Sequence, residues 1–564
     1  MTTVSSTSST SSSSYSALKS SDSGTGLDYT ALVEAAVASR LTRADRIDAK
    51  ITANEARISA YTTMQTLLQT LNGSIDGLRN RSVSLGATTN LFGERTAYLA
   101  GGGTTSPGDV MAVSVADSTE TGTYSVEVKQ LATRHKIGGS RQTSQTDALG
   151  LSGSFTLGVE GGTGVTIDLS SASSLSDVRD AINAQKATSG VSASIVKVSG
   201  TQYQLVLTAT DTGKPIMMND GGNGVLSGLG LTDSSGNIAN ELVAAQDAIV
   251  EIDGVRITRN SNTIDDAIAG VKLDLYAANV GTPISVEIST DLGSIKSALT
   301  GFVEAYNAFR DFALKQQATN TDGTKTDDAI LFSDSMLRQV TQNVYTILNG
   351  QVSTADGALS LNDLGITFDS SNKLTLDETK LNTALTDRLD DVRTLLGLNM
   401  TSSSSDLQLL RYNNSLTNTS FTLDVTVADD GTLTSASVGG NDSLFEIKDN
   451  RILGKDGTAY AGLVFVYTGK TASIDVNFSE GLADKLYTAV NDVVSSTSGR
   501  ITKIVDQIKS TDNDLQTRSN TIKNNAEDYR TRLTQYYARL EQKAEQANTL
   551  LKQLQQSTNS NNNN

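Results

Sequence analysis

The chain has no cysteine, no tryptophan, three prolines and a single histidine, His135, among its 564 residues. Without cysteine there can be no disulfide framework, thiolate metal site or thiol nucleophile. A Ser/His/Asp arrangement or a histidine-ligated zinc would have to draw on His135 alone. No run of about eighteen or more apolar residues occurs, so no membrane-spanning helix is expected. The start, MTTVSSTSSTSSSSYS, lacks the basic and then apolar regions of a cleaved secretion signal. Clustered positive charge is missing too: 62 Asp and Glu stand against 45 Lys and Arg, a net charge of −17. Nucleic acid and anionic membrane are therefore not expected partners, because both are bound by displacing counterions with Lys and Arg.

What is present is length enough for several cores, since single cores stop growing well before this size. The three prolines, Pro107, Pro215 and Pro283, leave both ends free of helix breakers. The order reads helix, sheet, bundle, sheet, helix. We expect an α+β multi-domain chain, with long terminal helices forming a coiled-coil stalk and helical bundle, and antiparallel β-rich head domains inserted between them. The expected boundaries are 1–28 disordered Ser/Thr-rich segment, 29–80 N-terminal helical leg, 81–290 β-rich head, 291–400 bundle, 401–482 second β insertion, 483–556 C-terminal leg and 557–564 disordered tail. The Ser/Thr tract has too little apolar surface to offset its ordering entropy.

The N-terminal leg carries Ile47, Ile51, Asn54, Ile58, Tyr61, Met64, Leu68, Leu71, Ile75 and Leu78 at steps of three and four, a helical seam. In the C-terminal leg Ile501, Ile508, Leu515, Ile522, Tyr529 and Tyr536 recur every seven residues, flanked by Ala526, Leu533 and Leu540, with Ala547, Leu551 and Leu554 continuing the stripe. Asn54, Asp512 and Ser519 interrupt the seams, so neither helix should be stable alone. Two outcomes stay open: an intramolecular antiparallel hairpin, or contacts completed by neighbouring subunits, toward which the polar interruptions lean. Period-two runs such as Tyr124-Ser-Val-Glu-Val128, Tyr203-Gln-Leu-Val-Leu207 and Phe421-Thr-Leu-Asp-Val-Thr-Val427 read as half-buried antiparallel strands, with a helix near Leu175 to Ala187. Helical periodicity returns over Leu292–Leu314, Ala329–Leu348 and Asp377–Leu396.

Apparent chemical motifs fail on their own requirements. Val464-Phe-Val-Tyr-Thr-Gly-Lys-Thr471 ends like a phosphate loop but has valine where the backbone needs glycine to wrap phosphates. Gly221-Gly-Asn-Gly-Val-Leu-Ser-Gly-Leu-Gly230 has Ser227 in place of the third glycine of a dinucleotide fingerprint. Asn320 to Asp328 resembles a calcium loop, yet Ala318 takes the first ligand position and no Glu closes it. No Gly-x-Ser-x-Gly elbow occurs, and nothing points to the paired acids of a glycosidase. No catalytic, cofactor or metal residue is assigned, and no enzymatic activity is expected.

Several segments do resemble one family. They are Gly26-Leu-Asp28; Thr121-Gly-Thr-Tyr-Ser-Val-Glu-Val-Lys-Gln-Leu-Ala132 with His135-Lys136; Ser174-Leu-Ser-Asp-Val-Arg-Asp-Ala-Ile-Asn183 followed by Gly190-Val-Ser-Ala-Ser194; Ile252-Asp-Gly-Val255; Arg259-Asn-Ser-Asn-Thr-Ile-Asp-Asp266; Gly270-Val-Lys-Leu273; Phe302-Val-Glu-Ala-Tyr-Asn307; Leu361-Asn-Asp-Leu-Gly-Ile366; and Leu374-Thr-Leu-Asp377. In order and spacing the chain resembles the flagellar hook-associated protein 2 (FliD) family of filament caps. It departs from the family at Tyr536-Tyr537, where Gln-Phe is usual, and over 402–480, which is longer than a minimal member needs.

The resemblance implies type III export through the flagellar channel, an extracellular place at the filament tip, a ring-like homo-oligomer and flagellin as working partner. Hook-filament junction proteins and an export chaperone are further implied partners. It also implies that the terminal helices act as legs set into the filament end. From spacing, Ile51, Ile58, Leu68, Ile522, Leu533 and Leu540 are the expected contact seam. A surface adhesin acting through the head is the alternative, and another axial component, flagellin or a junction protein, is a third reading.

Overall fold

The structure is a computed structural model describing residues 29–80, 90–170, 172–354, 357–411 and 419–561; the Ser/Thr-rich tract at 1–28 lies outside them. The chain divides into two compact units. One comprises Met1–Asp76, Leu299–Leu381 and Gly481–Asn564, and the other Gly77–Ala298 and Asn382–Glu480.

The first unit is mainly helical. Its longest elements are α1 (Tyr29–Ile75) and, after Leu299, the greater part of α2 (Leu292–Gln316), then α3 (Ser335–Leu348), α4 (Leu482–Val494) and α5 (Arg500–Asn561). Helix α3 starts later than the Ala329 the periodicity suggests, because Asp334 is its N-cap and accepts the Leu337 amide at 3.1 Å. The C-terminal leg is two helices, because the backbone turns extended at Ser495, with a ψ of 128°, and ends α4 before α5 begins at Arg500. Helix α5 also runs through residues 557–561, which were expected to be disordered; no proline or glycine stands there to stop it. Helix α1 packs on α4 and α5, and α4 on α3.

The second unit holds the sheets. Five antiparallel strands lie in the order Arg95–Gly101, Ile284–Thr290, Gly122–Gln130, Ala248–Ile252, Val255–Arg259. Their alternating residues Val126, Val128, Val250, Ile284, Val286 and Ile288 are buried in one cluster, as period-two patterning requires. A four-stranded and a three-stranded sheet enclose a second cluster with the helix Leu175–Ala184. That helix has a capping box in which Ser174 and Asp177 each bond the other's backbone. The residues from 398 to 480 form two further four-stranded sheets around a third cluster, rich in Phe and Tyr. The helical stretch expected over Asp377–Leu396 is broken at Arg388 into Glu378–Asp387 and Leu389–Leu396, and the second piece belongs to this unit rather than to the bundle.

His135, only 2% exposed, ties these sheets together. Its Nδ1 accepts the Ile216 amide at 2.8 Å, so the proton sits on Nε2, which lies 2.9 Å from Glu241 Oε1. The ring is thereby fully used in holding strands.

Candidate assembly surface

Helices α1 and α5 run antiparallel, and their contacts change in kind along the pair. Near the α4 end, Tyr61, Met64, Leu68, Leu71 and Ile75 are at most 2% exposed, and Ile501, Val505 and Ile508 are buried on the other helix. Tyr61 also donates to Asp334 at 2.6 Å, and burial first, then Asp334, pushes its phenol up to about 12. One residue therefore fastens α1 to the cap of α3.

In the middle the seam turns polar. Asn54 Nδ2 donates to Asp512 Oδ1 at 2.7 Å, Ser519 Oγ to Asp48 Oδ1 at 2.6 Å, and Lys523 Nζ lies 2.7 Å from Asp48 Oδ2. The Lys523 and Ser519 bonds hold the Asp48 carboxyl below its ordinary range. The interruptions that the sequence suggested were left for neighbouring subunits are thus paired within the chain. Buried polar groups need partners, and the antiparallel alignment brings each to another.

Toward the far end a small apolar cluster holds Val33, Val37 and Ala526, with Leu41, Tyr529, Leu533 and Tyr537 partly buried around them, and Tyr29 and Ala44 are buried as well. Polar and aromatic contacts supplement it: Glu34 to Arg530 at 3.0 Å, Arg40 stacked 3.8 Å over Tyr529, and Tyr29 stacked on Tyr537 at 5.0 Å. Tyr29 is the first described residue, and α5 continues past Tyr537 to Asn561. Beyond Tyr537 the stripe of Leu540, Leu551 and Leu554 is 39 to 61% exposed, as is Leu550.

The six seam residues expected from spacing fall into different settings. Leu68 is wholly buried in its own chain and cannot meet a neighbour while α1 stays packed. Ile51, Ile58, Ile522 and Leu533 are half-buried in the pair, and Leu540 faces outward. Spacing alone does not flag Asp334, Glu34 or Arg530, because their partners are distant in sequence.

The motifs that carry the resemblance are structural. Three asparagines in them each bond both backbone groups of one distant residue: Asn183 those of Ala193, Asn262 those of Ala132 and Asn307 those of Leu374, at 2.7 to 2.9 Å. An amide side chain offers a donor and an acceptor side by side, so it substitutes for a strand neighbour. Arg259 Nε reaches both oxygens of Asp266 at 3.0 Å.

The motifs that resemble chemical signatures are structural too. Val464–Tyr467, the start of the phosphate-loop-like run, is a strand, and Asn320 to Thr324 is a turn closed by backbone and Asp322 bonds. Among the described residues no group of three or more His, Asp or Glu is placed to hold a metal ion, and no helix is long and apolar enough to cross a membrane. An open groove of about 580 Å³ beside Gly158–Gly164 and Met217–Asp220 has Glu160 and Asp220 as its ionisable lining.

Comparison with known proteins gives a consistent answer. Family models described as the flagellar hook-associated protein 2 C-terminus and N-terminus match residues 245–549 and 25–135, and a flagellin hook IN motif matches 154–211. The flagellar hook-associated protein 2 of Escherichia coli K12 is 30% identical over 378 residues, 64% of this chain and 76% of that protein. The B-type protein of Pseudomonas aeruginosa is 30% identical over 343 residues, 57% and 70% of the two chains. The crystal structure of the flagellar cap protein FliD D1-D2-D3 domains from Escherichia coli aligns with 80% of this chain and 99% of its own, at 23% identity and a TM-score of 0.49. With its C-terminal model alone covering more than half of the sequence, this chain belongs to the flagellar hook-associated protein 2 family.

Proposed function

We propose that the protein caps the distal end of the flagellar filament as a structural subunit, promoting ordered polymerisation of exported flagellin and keeping it from the medium. Family membership supports the cap role. The observation that carries the finer reading is the apolar stripe Leu540, Leu551 and Leu554, which continues α5 past Tyr537 and is exposed. Such a stripe is a helical face that no described residue covers. In this reading it is covered at the filament end, where α1 and α5 act as legs and the half-buried Ile51, Ile58, Ile522 and Leu533 add contacts as the pair loosens. Self-association into a ring supplies the plate above, and an export chaperone and the hook-filament junction proteins are the further partners. The adhesin alternative finds no support in the family match.

The test deletes the encoding gene, assays flagellin in the culture medium and images the cells. Flagellin lost to the medium from cells with hooks but no filaments supports the reading, and normal filaments would overturn it. Complementation with Leu540, Leu551 and Leu554 all changed to Asn separates the stripe from the rest: the variant should fold and be exported, yet leave flagellin in the medium.

A further inference from the structure

The chain contains three Asn-Gly pairs, at Asn72, Asn223 and Asn349. This dipeptide can modify itself. The glycine amide nitrogen, on losing its proton, attacks the asparagine Cγ; a C–N bond forms, ammonia leaves, and a five-membered succinimide results. One water then opens the ring at either carbonyl, giving aspartate or, with the main chain rerouted through the side chain, isoaspartate. The reaction needs a glycine amide free of other bonds and a backbone able to turn toward the side chain, so the fold decides which pair reacts.

Two of the pairs are blocked. Gly73 lies within α1, where the helical ladder engages its amide, and Asn72 is 7% exposed with Nδ2 directed at the Tyr487 carbonyl. The Gly350 amide donates to the Ile347 carbonyl at 3.1 Å. The third pair is different. Asn223 sits in the exposed run Gly221-Gly222-Asn223-Gly224, whose glycines all have φ between 62° and 89°. Glycine is the residue that turns most freely there. The Gly224 amide makes no hydrogen bond among the described residues, and the Asn223 side chain is held by one bond, Nδ2 to the Ser154 carbonyl at 3.2 Å.

We propose that Asn223 is a site of spontaneous covalent modification, converting to aspartate and isoaspartate in the folded protein while Asn72 and Asn349 stay amides. The product has a local effect. A carboxylate at 223 cannot donate to the Ser154 carbonyl, and it adds charge next to Asp220, which already accepts from the Gly222 and Leu226 amides. The isoaspartyl form also lengthens the main chain just before Val225 and Leu226, both buried in the adjoining core. The rim formed by Asp220 and Leu226 in the groove beside Gly158–Gly164 therefore loosens as the protein ages.

The full-length protein, incubated for days at mildly alkaline pH, tests this by peptide mapping that separates asparaginyl, aspartyl and isoaspartyl forms. Asn223 should convert at least about tenfold faster than the other two in the folded chain, because the blocked amides react only after local opening. In denaturant all three should convert at similar rates. An unchanged Asn223 in the folded protein, or equal conversion at all three sites there, overturns the proposal. Hydrogen exchange on Asn223→Asp gives an independent check: faster exchange at the amides of residues 225–228 than in the parent is expected, and unchanged exchange overturns the loosening.

Discussion

Asn54 and Asp512, separated by 458 positions, meet through a 2.7 Å hydrogen bond in the middle of the α1–α5 pair. A seam of apolar residues alone leaves two antiparallel helices free to slide by a heptad, and a polar pair at one level fixes the register. Asn54→Leu removes the donor and leaves a half-buried carboxylate short of a partner. It should cost about 1–3 kcal/mol. Changing both residues to Leu should recover most of that loss, because an apolar pair of similar shape replaces a polar one. Denaturant melts of the two single variants and the double variant give the coupling directly, and additive losses would exclude it.

The asparagine bridges carry a second expectation. Asn307→Ala strips both bonds from the backbone of Leu374, whose side chain is 3% exposed. The loss should be about 1–3 kcal/mol for each group left unpaired. Asn307→Asp keeps the acceptor and loses the donor, so it should fall between the parent and the alanine variant. Equal stability of all three proteins would rule out a bridging role.

Alkaline pH should weaken the first unit through its buried phenols. Tyr61 and Tyr306 are pushed up to about 12 from 10.0, chiefly by burial. Between these two values the folded chain holds protons that the unfolded chain has released. The tyrosine contribution is thus fully present below pH 10 and is lost as pH rises toward 12. Tyr61→Phe should flatten part of that decline and, by removing the bond to Asp334, lower stability at neutral pH. A pH series of melts followed by circular dichroism reads both.

At acid pH the relevant group is Asp48, held low by Lys523 and Ser519. A carboxyl with a lowered folded value supports the native state above its unfolded value near 4 and loses that support as pH falls through the folded one. Asp48→Asn should make the helix pair less sensitive to acid below about pH 4. An unchanged acid melt would show that the Asp48 contacts do not contribute.

Variants at Leu68 and Leu540 would separate folding from the proposed assembly role. Leu68→Ala, at a site with no exposure, should cost about 2–5 kcal/mol. Leu540→Ala, 39% exposed, should change stability by about 0.5 kcal/mol or less. If the stripe acts at the filament end, Leu540→Ala should still raise flagellin in the medium. Hydrogen exchange should follow the same division, slow at 61–75 and 501–508 and fast beyond Ala526, where no described side chain of α5 is buried.

The sequence by itself determined the long terminal helices and the main β-rich stretches, because period-seven seams, period-two strands and the positions of proline and glycine act locally; it did not show the short strands Val352–Thr354, Gly357–Leu359, Ile366–Phe368 and Leu374–Leu376 within the helical unit. It also determined the family, through motifs such as Phe302 to Asn307 and Arg259 to Asp266. What it could not determine was partnership. Whether Asn54 and Ser519 faced neighbours or partners in their own chain, Asp512 and Asp48, depended on the alignment of two helices more than four hundred residues apart. Leu68 and Leu540 share one spacing pattern, yet one is buried against the facing helix and the other exposed, which only the packing of the two helices decides. The bridging role of Asn183, Asn262 and Asn307 was hidden as well: a side-chain amide finds another residue's backbone only after the fold has brought the two together.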